Sequence, residues 1–342
     1  MQTVSLLSSV LLFAFSVSVV TQYRILPVPG TPYWLFGILF LVLFSHLCLS
    51  FGEIWGYKNS SLFRIKTVLF WLTIIIVLGG VMMTAIVDRS KTAPVYGVHD
   101  IILQQEAAMR YLLEGKNPYK ETYFGTPVES FHYDEQGKPA VNPALYHFVM
   151  PPWYLLFPFG FYFISIPIFG YFDGRMAVLF LTFALLFLLW RWFKNKEVAS
   201  IAVSLIAFSP ATVHYLIEGR SDMFALFWLV WALYLADKKH LVLSGIIYGL
   251  SLLTKQTIWF SIPFYFIYMW HKTTDKKIFL VNIASVLATV SVIVAPFFLW
   301  DPKAYLDSTI FYLSGSGSNA YPISGYGWSM VLSGFGFITN LH

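Results

Sequence analysis

The sequence is poor in charge and nearly free of cysteine. Only 11% of its 342 residues are charged, whereas a soluble domain carries about a quarter, so a soluble globular protein is excluded. The one cysteine, Cys48, lies in an apolar run and allows no disulfide within the chain. The sequence also contains no Cys/His spacing typical of a metal site and no internal repeat.

Apolar residues take the place of the missing charge. They make up 58% of the chain, with 19% aromatic residues and a mean hydropathy of +0.67. They form runs long enough to cross a bilayer, at residues 4–21, 33–51, 67–87, 176–192, 198–217, 222–236, 240–254, 256–270 and 278–299. The pattern predicts an all-α, polytopic transmembrane helix bundle of about nine spans, with residues 1–342 as a single transmembrane domain. The net charge of +5 therefore concerns orientation and lipid headgroups, and no nucleic-acid partner is expected.

The two ends of the chain carry further expectations. Residues 1–20 lack a basic segment and a small-residue cleavage site, so we expect a retained span, with a signal peptide as the alternative. Residues 301–329 are rich in glycine and serine and predict a flexible outer loop. A new apolar run, 330–338, begins just before the chain stops, which is typical of a C-terminally truncated sequence.

The positions of Lys and Arg predict the orientation of the spans. If the polar loop that starts at residue 88 faces away from the cytoplasm, four basic turns face the cytoplasm. These turns are residues 58–66, 191–196, 238–239 and 272–277. For the last three turns this holds only if residues 149–170 do not cross, and their four prolines argue against a straight helix there. We therefore expect an interfacial or re-entrant segment; if it crosses instead, every later turn is inverted.

The only long polar segment carries the first candidate site. We interpret residues 88–175 as a large extracytoplasmic loop with interfacial helices. Within it, the amphipathic run 101–114 ends at Gly115 and predicts a helix on the membrane surface. Asp100 stands at the start of this helix, beside His99, as a general base or an orienting carboxylate. The alternative is a helix N-cap, for which Asp is a preferred residue.

Three cations are expected on the same outer side as Asp100. Arg175 opens a span, Arg220 lies in the tight turn 218–222, and Lys255 lies in an equally short turn. Arginine and lysine are the natural partners of a phosphate group, and a phosphate on a lipid tail would lie at this depth. The alternative is that these long side chains only extend to the lipid headgroups.

The remaining ionisable residues suggest little chemistry by themselves. Glu106 precedes Arg110 by four residues, the spacing of a solvated pair on a helix surface. Three further acids are expected in solvated loop: Asp88, Asp134 and Glu135. Away from the ends of the predicted spans, in their interiors, His46 is essentially the only ionisable residue. Transporters that couple to ions place such groups near the middle of the membrane, so their scarcity favours an enzyme over a carrier.

Several short motifs follow one another along residues 68–340. After the loop acid and its helix come Gly115-Lys116-Asn117-Pro118-Tyr119, the Pro- and aromatic-rich stretch 142–158, Arg175, Ser209-Pro210, Gly219-Arg220-Ser221-Asp222, Lys255 and Pro322-Ile323-Ser324-Gly325. Their order resembles that in GT-C integral-membrane glycosyltransferases, above all the prokaryotic, polyprenyl-phosphate-dependent mannosyltransferase-like branch. Many members of that family carry two adjacent or near-adjacent acids where this chain has His99-Asp100.

The resemblance implies an inverting enzyme that transfers a hexose (mannose-like) or pentose from a polyprenyl-phosphate donor to a lipid, glycan or protein acceptor. The reaction would take place on the extracytoplasmic side of the cytoplasmic membrane. Asp100 and His99 would be catalytic, and the three cations Arg175, Arg220 and Lys255 would bind the donor phosphate. Further candidates for substrate binding are Glu106, Asn117, Tyr119, Asp222 and Gln256. No cofactor is implied with certainty; Mg²⁺ or Mn²⁺ stays an open alternative, since one carboxylate and one imidazole make a poor site for either.

Two alternatives of a different class are kept. A transporter or flippase of lipid-linked saccharides would share the phosphate-binding cations but would need no loop acid. A non-catalytic membrane subunit would tolerate substitution of Asp100 and of the outer cations alike.

Overall fold

The computed structural model describes residues 2–23, 33–57, 59–135, 138–273, 275–314, 319 and 328–338. Its helices are, in chain order, α1 (Gln2–Tyr23), α2 (Tyr33–Ile54), α3 (Ser60–Ile74), α4 (Gly80–Lys91), α5 (Asp100–Leu113), α6 (Pro152–Leu156), α7 (Phe159–Phe169), α8 (Arg175–Trp192), α9 (Lys196–Phe208), α10 (Pro210–Glu218), α11 (Asp222–Asp237), α12 (Leu241–Leu252), α13 (Ile262–Lys272), α14 (Lys276–Trp300), α15 (Pro302–Leu306), α16 (Tyr312–Ser314) and α17 (Trp328–Gly334). Short 3₁₀ helices cover Pro127–Ser130, Pro143–Leu145 and Gln256–Ser261, and π-helical turns cover Ile75–Gly79 and Asp307–Phe311. The predicted all-α class is confirmed for the described residues, where the only β structure is a two-residue antiparallel pair, β1 (Asp134–Glu135) with β2 (Lys138–Pro139).

The described residues form two compact units. The first unit comes from Met1–Ala93 and Val178–Met223, and the second comes from Pro94–Ala177 and Phe224–His342. Of the candidate site residues, Arg220 and Asp222 belong to the first unit. All the others belong to the second unit.

Five helical segments of the described chain are long and apolar enough to cross a membrane. They are Phe36–Ile54, Ser60–Lys91, Pro152–Phe169, Arg175–Trp192 and Lys276–Trp300. A sixth is obtained if α9 and α10, which bend by 50° between them, count as one span. These segments have the length and composition expected of a multi-pass membrane protein. The count of nine crossings stays a prediction, because α12 and α13 have only 12 and 11 residues, which is about 18 and 17 Å against a hydrocarbon core of roughly 30 Å.

Several predicted boundaries differ from the observed ones; the predicted span 198–217, for example, is divided into α9 and α10. The predicted span 67–87 is the middle of a 32-residue helix, Ser60–Lys91, which includes the π-helical turn. Asp88 therefore lies in helix, and its assignment to the loop was wrong. The segment 149–170 is interrupted between α6 and α7, as its prolines predicted. Since its length and composition would allow a crossing, its interfacial position stays a prediction.

An ion-pair cluster joins four helices at one end of the first unit, where α1 packs against α2 and α9. Lys66, only 4% exposed, donates to Ser5 Oγ at 2.6 Å, Glu53 Oε2 at 3.1 Å and Glu197 Oε1 at 3.0 Å. Ser5, Glu53 and Glu197 lie near the ends of α1, α2 and α9, and Lys66 is the seventh residue of α3. The first unit therefore contains a buried charged residue, Lys66, in addition to buried His46. The sequence pattern did not place Lys66 in a span because α3 begins earlier than predicted.

Close approach of α12 and α14 builds the core of the second unit. A Cβ at Gly245 would lie 2.7 Å from Asn282 O, and one at Gly249 would lie 2.8 Å from Thr289 Cβ. Small residues four apart allow such close helix packing in membrane proteins. Asn282 Nδ2 donates to the Leu241 carbonyl of α12 at 2.7 Å and to Tyr265 Oη of α13 at 3.0 Å, so a polar contact accompanies the packing.

Candidate functional site

The polar loop turns sharply before α5. Gly97 has a φ of +64°, which suits glycine, and His99 then occupies the N-cap position in an extended conformation. Asp100 is the first helical residue, so its assignment as the N-cap was wrong by one position. A carboxylate there lies at the positive end of the helix dipole. The predicted end is confirmed, since α5 stops at Leu113 and Gly115 has a φ of +72°.

Three side chains form a short hydrogen-bonded row at this helix start. His99 Nδ1 lies 2.5 Å from Asp100 Oδ1, and Asn142 Nδ2 donates to Asp100 Oδ2 at 3.1 Å. A ring nitrogen this close to a carboxylate carries the proton of the hydrogen bond, so we assign the Nδ1–H tautomer to neutral His99. Nδ1 is then no acceptor for the Ile101 amide, whose nitrogen is 3.4 Å away.

The same contacts keep Asp100 ionised. Burial acts to raise the pKa of its carboxyl group, but hydrogen bonds from His99, Asn142 and the Ile101 amide outweigh it. The pKa of Asp100 is therefore below its ordinary value of 3.8. A carboxylate with a low pKa and both oxygens engaged orients its neighbour well but is a weak base.

The description of α5 as an amphipathic surface helix was wrong for its first half. Gln104 and Gln105 are each 1% exposed. The Gln104 amide donates to the Ala144 carbonyl and, at 2.7 Å, to the His147 carbonyl, while Gln105 donates to the Tyr154 carbonyl at 2.8 Å. The segment 142–154 is therefore bound along α5, and this contact brings Asn142 to Asp100.

Arg175 is sealed inside the second unit. Its side chain is 0% exposed and binds Asp173, 1% exposed, with Nε–Oδ1 at 3.0 Å and Nη2–Oδ2 at 2.8 Å. Its Nη1 donates to Gly97 O at 3.4 Å. Glu106 accepts from the adjacent Gly174 amide at 3.0 Å and so helps to hold this turn against α5. The buried carboxylate neutralises Arg175, and its expected role as a phosphate ligand stays a prediction.

Lys255 lies in a turn that is anchored on both sides. The Leu253 carbonyl accepts hydrogen bonds from two amides at the start of α6, at 3.0 and 3.3 Å. The Gln256 amide donates to the carbonyl oxygens of Val149 and Thr309. The predicted turn is confirmed, and its anchors join it to the segment that also binds α5. Gln256 uses its amide to anchor this turn, and its expected role in substrate binding stays a prediction.

Asn117 and Tyr119 are buried anchors as well, at 4% and 2% exposure. Asn117 Oδ1 accepts from the Tyr119 amide at 3.0 Å, and Tyr119 Oη donates to Met150 O at 2.9 Å. Ser308 Oγ donates to the Tyr119 carbonyl at 2.9 Å. Burial raises the pKa of Tyr119 well above its ordinary value, so the hydroxyl stays a donor. The expected contact of these two residues with substrate stays a prediction.

Arg220 is partly exposed in the first unit. Gly219, with a φ of +79°, ends α10, and the turn 218–222 is confirmed. Arg220 Nε donates to Glu218 Oε2 at 2.7 Å, and its guanidinium lies 4.3 Å from the Tyr215 ring centroid. The side chain remains 36% exposed. Asp222 is exposed at the start of α11, and the grouping of both residues with Asp100 stays a prediction.

Sequence reasoning missed Asp173 and Asn142. Asp173 accepts from the Arg175 amide at 2.9 Å, and an Asp two residues before a helix-opening Arg is a local signal for such a contact. Asn142 accepts from the Ala144 amide at 2.9 Å in an Asn-Pro turn, but its partner Asp100 is distant in sequence and no local signal identifies it.

No candidate metal centre is found in the described part of the chain, where no group of three or more His, Cys, Asp or Glu side chains could hold an ion. The motif Pro322-Ile323-Ser324-Gly325 lies outside the described residues, as do residues 315–318 and 320–327 of the predicted outer loop, whereas residues 302–314 of that loop are helical. Comparison with known proteins adds no relative: no family model, no curated protein and no solved structure matches the chain.

Proposed function

We propose that this protein is a membrane glycosyltransferase of the GT-C type. It would transfer a sugar from a polyprenyl-phosphate donor to a lipid, glycan or protein hydroxyl on the extracytoplasmic side, with inversion at the anomeric carbon. The observation that carries the proposal is the row His99–Asp100–Asn142, which holds an imidazole and a carboxylate at the start of a helix in the polar loop. Such a pair provides the acid–base chemistry that activation of an acceptor hydroxyl requires.

Lys255 is the cation that we assign to the donor phosphate. It belongs to the same unit as Asp100, and its turn is fixed through Leu253 and Gln256. A phosphate leaving group needs a positive charge more than a proton. An ammonium group carried by a fixed turn supplies that charge as the bond between the anomeric carbon and the phosphate oxygen breaks. Roles for Arg220 and Arg175 in phosphate binding rest on the sequence alone.

The test uses full-length protein in membranes supplied with radiolabelled polyprenyl-phosphate sugars. We expect Asp100→Asn to lower transfer at least about 100-fold, the lower range for loss of acid–base catalysis, and Lys255→Ala to lower it substantially. Glu114→Gln, at the exposed far end of α5, and Lys272→Ala, in α13, are the matched controls and should transfer like wild type.

Three outcomes separate the candidate functions. Transfer by wild type and by the two control variants, but not by Asp100→Asn or Lys255→Ala, would support an enzyme. Near wild-type transfer by both Asp100→Asn and Lys255→Ala would show that the roles are wrong. Label bound equally by wild type and Asp100→Asn, with no transfer by either, would favour a carrier of lipid-linked saccharides.

A further inference from the structure

Asp100 and His99 differ in how many of their hydrogen-bonding atoms already have partners. Asp100 accepts on Oδ1 from His99 and on Oδ2 from Asn142, and its side chain is 17% exposed. His99 is 33% exposed. With Nδ1 turned to the carboxylate, its accepting nitrogen is Nε2, and no described residue forms a hydrogen bond to that atom. The more accessible lone pair therefore belongs to the imidazole.

We propose that His99 Nε2, and not the Asp100 carboxylate, takes the proton of the acceptor hydroxyl, while Asp100 and Asn142 are positioning residues. The proposal rests on the glycosyl transfer proposed above. The acceptor O–H bond breaks and its proton passes to Nε2 as the oxygen bonds to the anomeric carbon. The bond from that carbon to the phosphate oxygen breaks, and its electron pair leaves with the polyprenyl phosphate. The imidazolium so formed is stabilised by the adjacent carboxylate.

The supports of the imidazole are themselves fixed. Asn142 is 3% exposed, and both polar atoms of its side-chain amide have partners. Oδ1 accepts from the Ala144 amide, and Nδ2 donates to Asp100. The His99 ring also contacts the Phe131 ring, with centroids 6.0 Å apart. A carboxylate that binds Nδ1–H sets both the tautomer and the ring direction. Asn142 therefore acts on His99 through Asp100.

Other ionisable groups near α5 are engaged elsewhere. Glu129, on a 3₁₀ helix packed against α5, accepts from the amide of Gly125. Tyr154, on α6, packs its ring on Phe224, and Arg175 is neutralised by Asp173. Among the described residues, Asp100 is the one titratable group that forms a hydrogen bond with the His99 ring.

The first test is the pH dependence of transfer, measured from pH 4 to 9 on full-length protein in membranes. An imidazole changes charge between about pH 5 and 8, whereas a carboxylate does so at lower pH. Wild-type activity should fall as the pH drops from about 8 to about 5 and an imidazole base becomes protonated; this fall is the imidazole limb of the pH profile. His99→Gln should lower transfer at least about 100-fold at neutral pH and abolish that limb. The residual activity of Asp100→Asn should keep the pH dependence of the imidazole, which would be lost if the Asp100 carboxylate were the base.

His271→Gln, an exposed histidine of α13, is the matched control and should keep both rate and limb. If His99→Gln retained the limb, or if wild type lost activity only below about pH 5 as a carboxylate base would require, the assignment of the proton to His99 would be overturned.

A second test needs no substrate. ¹⁵N NMR of histidine-labelled protein in nanodiscs, with His99 assigned from the spectrum of His99→Gln, should show a proton on Nδ1 and none on Nε2 in the neutral ring. A proton on Nε2 would overturn the inference. If the expected tautomer were found but wild type transferred no sugar, the glycosyl transfer would be wrong and the hydrogen-bonded pair would stand.

Discussion

The buried ion pair Asp173–Arg175 gives the sharpest prediction of stability. Arg175→Met would leave a carboxylate that is 1% exposed without its partner, inside a unit where the guanidinium itself is 0% exposed. Breaking a buried pair on one side is destabilising by about 3–5 kcal/mol, because the remaining charge stays desolvated. Replacing both partners by apolar residues removes that uncompensated charge and is often close to neutral. Asp173→Leu combined with Arg175→Met should therefore recover most of the loss.

Arg220→Met is the matched control. Its pair with Glu218 is 36% and 26% exposed, and exposed pairs contribute about 0.2–1 kcal/mol. In thermal unfolding of the full-length protein in detergent, followed by tryptophan fluorescence, about 1 kcal/mol corresponds to a shift of roughly 2–4 °C for domains of this size. Arg175→Met should thus lower Tm by about 6–20 °C and Arg220→Met by less than about 4 °C.

The reasoning would be refuted if Arg175→Met unfolded at the same temperature as Arg220→Met. It would also be refuted if the decrease in Tm of the double variant equalled the sum of the decreases for Asp173→Leu and Arg175→Met alone. A stable Arg175→Met that bound the polyprenyl-phosphate donor poorly would support the phosphate role that the sequence predicted for Arg175.

Three further predictions concern packing, buried charge and pH. Gly249→Ala would place a methyl group 2.8 Å from a side-chain carbon of α14 and should destabilise by about 1–3 kcal/mol; Gly160→Ala, which has open space, should leave Tm unchanged or higher. Lys66→Met should destabilise by about 3–5 kcal/mol, and Lys272→Met, whose pair is 30% exposed on the lysine side, by less than about 1 kcal/mol. Because the folded-state pKa of Asp100 is lowered, its stabilising contribution is present above about pH 5 and is lost as the pH falls through that pKa. Tm should therefore fall more steeply below about pH 4 in wild type than in Asp100→Asn.

Local patterns predicted the helices well wherever the helix ends are local in origin. The ends of α5 and α10 at Gly115 and Gly219 follow from glycine in the left-handed region, and the break near Pro158 follows from proline. The start of the helix Ser60–Lys91 was missed because Lys66 and Arg64 interrupt the apolar run. Lys66 is tolerated there because Glu53 and Glu197, both distant in sequence, neutralise it.

The candidate site was predictable only in part, for the same reason. Asp100 and His99 are adjacent, so their association could be expected from sequence. The partners of Gln104, Asn117 and Gln256 are backbone atoms of other segments or of the same turn, and a polar residue type does not reveal whether it faces substrate or another loop. This explains why the anchoring contacts of polar residues expected at the substrate were not predicted.

The scarcity of ionisable groups within the predicted spans favoured an enzyme over a carrier. The Lys66 cluster adds buried charge to one of these helices, Ser60–Lys91. Lys66 is the seventh residue of α3, about 9 Å from its start, whereas the middle of the hydrocarbon core is about 15 Å deep. All three of its ammonium hydrogens have acceptors. A saturated cluster near helix ends joins helices and has no bonding capacity left for a transported group. The His99 imidazole differs, because Asp100 fixes one ring nitrogen and leaves the other to accept a proton. The case for catalysis therefore depends on an oriented but unsaturated group in the polar loop, and no longer on the absence of charge elsewhere.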